Sequence, residues 1–172
     1  EVTPLPIDKV LPDLRGAFKT HRNIVLSADP GAGKTTRVPL ALLDDSWLDG
    51  KRMVMLEPRR LAAQRAAAYI AQLLGEKVGE TIGYRIRGDS KVGKKTRVEI
   101  VTEGILTRML QDDPSLPGIG LVIFDEFHER SIHADLGLAL ILDVQEHLRN
   151  DLHILIMSAT LDSLSLTALL GD

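Results

Sequence analysis

Leu121-Val122-Ile123-Phe124 runs directly into Asp125-Glu126-Phe127-His128, and the fold follows from that junction. A continuous apolar run of this length reads as a strand buried on both faces, because a half-buried strand would alternate apolar and polar residues. Two adjacent carboxylates therefore stand where a buried strand surfaces. Upstream, Ile24-Val25-Leu26 forms a second such run. It closes in Ala28-Asp29-Pro30-Gly31-Ala32-Gly33-Lys34-Thr35, which opens a helix. A glycine-rich phosphate cradle and a carboxylate pair, each at a strand end, make the two halves of a magnesium–nucleoside triphosphate site.

Apolar runs alternate with helical patterns along the rest of the chain. Strands are expected over 23–28, 53–57, 82–86, 97–102, 121–125 and 152–157. Helices are expected over 34–44, 60–74, 103–111 and 133–149, with a last one from 163. Leu136, Leu140, Val144 and Leu148 recur every four residues, the clearest helical spacing in the chain. Doubly apolar strands separated by helices predict an α/β domain with a parallel sheet covered on each side. Ser90 to Lys95 reads as an exposed basic turn, a hairpin between its flanking strands.

At 172 residues the chain suits one domain with a substantial core. Its 44% hydrophobic and 26% charged content is that of a globular protein, and the net charge of −3 gives no global attraction for nucleic acid. Nucleic acid would therefore need a local basic strip. The absence of cysteine excludes disulfides and thiolate metal sites and fits a reducing cytoplasm. No apolar segment has membrane-spanning length, so no membrane partner is expected.

In the phosphate loop, Gly31 and Gly33 let backbone N–H groups approach phosphate oxygens, helped by the positive end of the following helix. Lys34 can reach the β- and γ-phosphates, and Thr35 can offer its hydroxyl to Mg²⁺. Ala28 stands where the full pattern has glycine. Asp125 suits Mg²⁺ through water, and Glu126 suits orientation and deprotonation of the attacking water. Phe127 is expected to pack inward and leave His128 near the site. Ser158-Ala159-Thr160 follows a strand; its hydroxyls suit either γ-phosphate sensing or a helix N-cap. Arg59 and Arg60 at one helix start, and Thr102-Glu103-Gly104 at another, suit either an anionic backbone or ordinary capping and surface charge. His21, His133, His147 and His153 have no convincing metal-ligand spacing, and Trp47 reads as a core or patch residue.

Taken in order, these motifs resemble the first motor domain of DEAH-type superfamily 2 helicases. The matching residues are Gly31-Ala32-Gly33-Lys34-Thr35-Thr36, Pro58-Arg59-Arg60, Thr102-Glu103-Gly104, Asp125-Glu126-Phe127-His128-Glu129-Arg130 and Ser158-Ala159-Thr160. Phe127, together with the phosphate-loop sequence, looks most like the bacterial HrpB branch of that family. The resemblance implies a RecA-like fold with helices on both faces of a mostly parallel sheet, one such domain spanning 1–172. It implies nucleotide binding by Asp29, Pro30, Gly31, Ala32, Gly33, Lys34, Thr35 and Thr36, and magnesium held by Thr35, Asp125 and Glu126. Catalysis falls to Lys34, Asp125, Glu126 and His128, and coupling to Ser158, Ala159 and Thr160. RNA or another single-stranded nucleic acid would lie on Arg59, Arg60, Thr102, Glu103 and Gly104.

The first glutamine is Gln64, after the phosphate loop, so the adenine-selecting glutamine motif of the DEAD-box branch is absent. Other triphosphates should be accepted beside ATP. Tyr69 aligns where an arginine of such helicases stacks on the base; stacking and core packing are both open to it. The family also implies a second RecA-like domain with an arginine finger and the other half of the RNA groove, outside these residues. Two other classes compete: an NTP-gated binding module without unwinding activity, and an unrelated phosphate-loop NTPase. The latter leaves Pro58-Arg59-Arg60 and Thr102-Glu103-Gly104 unexplained.

Overall fold

The computed structural model describes residues 6–27, 33–129 and 131–159. Seven strands form one sheet: β1 (Asn23–Ser27), β2 (Arg52–Leu56), β3 (Ile82–Ile86), β4 (Asp89–Lys91), β5 (Val98–Val101), β6 (Ile119–Phe124) and β7 (His153–Ser158). Their order is β1-β7-β6-β2-β5-β3-β4. Every pairing is parallel except β3 with β4. This is the α/β architecture expected from doubly apolar strands, and all six residues of β6 are buried.

Among the described residues five α-helices cover the sheet: α1 (Leu11–Ala17), α2 (Lys34–Leu42), α3 (Arg60–Leu73), α4 (Glu103–Asp112) and α5 (Ile132–His147). Strand side chains alternate between faces, and the core divides accordingly. Met53, Met55, Leu121 and Ile123 join Leu14, Val38, Leu42 and Ile70 from α1, α2 and α3. Val54, Leu56, Val122 and Phe124 join Leu106, Leu110, Leu138 and Ile141 from α4 and α5. Parallel strands present their C-terminal ends on one edge. The ends of β1, β2, β6 and β7 therefore converge where ligands of such sheets bind.

One expectation is corrected, and two features were not legible in the sequence. The hairpin forms earlier than 90–95: β4 folds back on β3 through Tyr84–Lys91, Arg85–Ser90 and Ile86–Asp89 pairs. The strands flanking it, β3 and β5, pair in parallel. Helix α1 was not legible, because it is only seven residues long and carries Pro12 and Gly16. Pro12 sits in its first turn, where no N–H is needed. Finally, α5 forms as expected, and of its four-residue stripe Val144 alone faces inward. Leu136, Leu140 and Leu148 are exposed, whereas Gly137, Leu138, Ile141, Val144 and Gln145 face inward. The helix is apolar nearly all round, so spacing alone could not choose the side.

Trp47 stacks on Phe18 at 4.7 Å and lies 4.4 Å from the His153 ring, as a core patch residue should. Among the described residues no helix is long and apolar enough to cross a membrane.

Candidate active site

Residues 28–32 lie outside the described residues, and with them Asp29, Pro30, Gly31 and Ala32. The cradle is seen from Gly33 onward. Gly33 caps α2 at φ 94°, a left-handed conformation that a side chain would strain. Lys34 opens the helix and is 4% exposed. Its Nζ lies 3.8 Å from Glu126 Oε1. Thr35 Oγ1 donates to Asp125 Oδ2 at 2.7 Å, and Thr36 Oγ1 donates to the Gly33 carbonyl. Residues 90 positions apart in sequence thus meet as the phosphate loop and carboxylate strand require.

Asp125 leaves β6 buried, with its N–H on the Leu56 carbonyl of β2. Its Oδ1 accepts the Glu126 N–H at 2.9 Å. Glu126 adopts φ 54°, a left-handed conformation that costs on the order of 1–3 kcal/mol for a residue with a Cβ. That turn swings the Glu126 carboxylate back across the strand end, between Lys34 and His128. His128 Nε2 lies 3.1 Å from Glu126 Oε2, while its Nδ1 accepts the Ala159 N–H at 3.0 Å. Acceptance at Nδ1 puts the ring proton on Nε2, facing Glu126. Phe127 packs inward as expected, edge-to-face with Phe124 at 6.2 Å.

His128 therefore bridges the carboxylates and the end of β7. Its partner there is the backbone N–H of Ala159. Ser158 is buried at the end of β7, and Thr160 lies outside the described residues, as does Arg130. The helix expected from 163 lies there too.

Sequence reasoning missed Glu57. It follows β2 directly, beside Asp125, and is 2% exposed, and its Oε1 has no hydrogen-bond partner among the described residues. Burial first, then the hydrogen bond and charge of Asp125, push its pKa up to about 11. Glu57 joins Asp125 and Glu126 as a third carboxyl at the strand ends, and its raised pKa favours the protonated form. An acidic residue closing an apolar strand on the same sheet edge as Asp125 was the available signal. A cleft of about 310 Å³ is lined by Thr35, Glu57, Arg59, Asp125, Glu126 and Glu129. Thr35 and Asp125 supply close, hard oxygen donors that suit magnesium.

The two other motifs flank this cleft. Arg59 and Arg60 open α3 and are exposed. Arg59 Nη2 pairs with Glu129 Oε1 at 3.1 Å. Thr102 precedes α4 in an extended conformation without a side-chain cap, and Gly104 is exposed. Glu103 Oε1 accepts from Ser131 Oγ at 2.7 Å, and Ser131 in turn caps α5 through the Ala134 N–H. Tyr69 is 48% exposed, so its core-packing alternative falls.

Comparison with known proteins agrees with this geometry. The DEAD/DEAH box helicase family model matches residues 8–167. The chain is 56% identical over 171 residues to the ATP-dependent RNA helicase HrpB of Escherichia coli, covering 99% of this chain and 21% of that protein. It is 35% identical over 159 residues to the ATP-dependent RNA helicase HrpA of Borreliella burgdorferi, covering 92% and 19%. A crystal structure of the Escherichia coli DEAH/RHA helicase HrpB superposes with a TM-score of 0.91 at 55% identity, over 97% of this chain and 21% of that one. The chain thus spans about a fifth of the length of these relatives. By sequence, by fold and by the meeting of its phosphate-loop and DEFH residues, the chain belongs to the DEAD/DEAH box helicase family.

Proposed function

We propose that this chain is the ATP-binding motor domain of an Mg²⁺-dependent RNA helicase, with hydrolysis used to move on or remodel RNA. The observation that carries this is the meeting of Lys34 with Glu126 and of Thr35 with Asp125, where the start of α2 faces the end of β6. Lys34 would meet the phosphates of ATP or another NTP, and the loop residues Asp29, Pro30, Gly31, Ala32, Gly33 and Thr36 would share that role. Thr35 and Asp125, with Glu126 near, would hold magnesium, which neutralises charge on the β- and γ-phosphates. Glu126 orients and deprotonates the attacking water. His128 holds Glu126 by one ring nitrogen and the end of β7 by the other, so movement at Ser158-Ala159-Thr160 is carried to the base. Tyr69, exposed on α3, offers a face for the nucleotide base.

Arg59, Arg60, Thr102 and the N–H groups of Glu103 and Gly104 take the backbone of single-stranded RNA, which positions it without reading sequence. A second RecA-like domain of the same parent protein supplies the arginine finger. The test is NTP hydrolysis by the full-length protein with and without single-stranded RNA. Stimulation by RNA is expected. Nucleotide-dependent RNA binding without turnover would favour a binding module instead.

A further inference from the structure

Arg59 opens α3 from an extended backbone, with no side chain capping the helix. A cation at that end opposes the helix dipole, so an anion should accompany it. Within the molecule that anion is Glu129. The pair is open to solvent, the Arg59 side chain 73% and the Glu129 side chain 36% exposed. Exposed ion pairs of this kind orient side chains but contribute little free energy. A phosphodiester, which meets the guanidinium fork with two oxygens, is a stronger competitor for the same donors.

Glu129 is more than a surface acid. It ends the short turn Phe127–Glu129, and its carboxylate lies within 4.8 Å of ligand atoms of Glu126 and His128. The same loop is pinned again two residues on, where Ser131 Oγ meets Glu103 Oε1 at the start of α4. The turn that carries the water-activating carboxylate is thus tied to both helices that open towards nucleic acid.

We propose that Glu129 is a positioning residue that occupies Arg59 as an internal stand-in for a backbone phosphate, and that RNA displaces it. Displacement frees a carboxylate beside Glu126 and His128, so arrival of RNA on Arg59 is felt at the hydrolytic turn. This rests on the nucleic-acid role proposed above for Arg59.

The test uses the full-length protein and a short fluorescein-labelled single-stranded RNA, with anisotropy measured without nucleotide over a range of salt. Glu129→Gln should bind RNA about two- to fivefold tighter, the scale of one exposed ion pair. Its plot of log affinity against log salt should steepen, because in the wild type added salt also weakens the competing Arg59–Glu129 pair. Glu129→Ser, which removes the carboxylate with a smaller side chain, must tighten binding likewise. In an Arg59→Ala background, Glu129→Gln should change nothing. The ratio of RNA-stimulated to unstimulated hydrolysis should fall in Glu129→Gln even as RNA binds tighter, a pairing that damaged folding would not produce. Wild-type RNA binding that Glu129→Gln and Glu129→Ser leave unchanged or weaken overturns the competition alone. A wild-type protein that binds no RNA overturns the nucleic-acid role and this inference with it.

Discussion

Replacing Glu57 with glutamine probes the third carboxyl of the site. Glu57 is 2% exposed beside Asp125, and its pKa rises from an ordinary 4.5 to about 11. In the unfolded chain it ionises in the usual carboxylate range. Across that window the folded, metal-free protein therefore holds a proton that the unfolded chain has lost. The folded pKa lies above the unfolded one, so the stability linked to Glu57 is full below the unfolded pKa and is lost as pH rises towards the folded one. One proton corresponds to about 1.4 kcal/mol per pH unit. One proton held by the Glu57–Asp125 pair across these two pH units gives a loss on the order of 3 kcal/mol between pH 6 and pH 8. Glutamine keeps a neutral donor towards Asp125 without that proton. Urea unfolding of both proteins in chelator, at pH 6, 7 and 8, isolates the effect, because other groups cancel in the difference. Glu57→Gln should gain on the wild type by about 3 kcal/mol over that range. A gap that stays constant with pH would mean that Glu57 is ionised in the folded protein, and the reasoning would fail.

Glu126→Gln in the full-length protein should trap bound nucleotide and abolish turnover; retained hydrolysis would remove Glu126 from the role of base. Tyr69→Ala should weaken nucleotide binding by at least about fivefold if its ring stacks on the base, and an unchanged titration would end that assignment. Residues 1–172 alone should hydrolyse ATP slowly and unwind nothing, since an arginine finger contributes about 10³–10⁵ in rate; robust RNA-stimulated turnover by these residues would contradict that. Phe124→Ala removes a fully buried ring that meets Phe127 edge-to-face, and should cost about 3–5 kcal/mol by chemical denaturation.

How far the sequence could be read varied with the kind of signal. The positions and type of the main strands were legible because β2, β6 and β7 are apolar on both faces, a pattern that only a covered sheet explains. Lys34, Thr35, Asp125 and Glu126 were legible because phosphate and magnesium chemistry constrain both residue type and strand-end position. Glu57 was hidden, since an acid at a strand end reads as surface until the neighbouring strand is placed beside it. The left-handed turn at Glu126 was hidden for another reason, as nothing in a glutamate announces φ 54°. The hydrogen bond from Ala159 to His128 depends on a backbone N–H, which every residue but proline carries and no sequence pattern marks. On α5 the period was readable and the buried side was not, because leucines occupy both faces.

The most direct measurement is the steady-state hydrolysis rate of the full-length protein, with and without magnesium, single-stranded RNA and single-stranded DNA. The predicted result is magnesium-dependent hydrolysis of ATP that rises on adding RNA and disappears in Glu126→Gln. Hydrolysis indifferent to every nucleic acid, or unaffected by loss of Glu126, would contradict an RNA-driven motor built on this site.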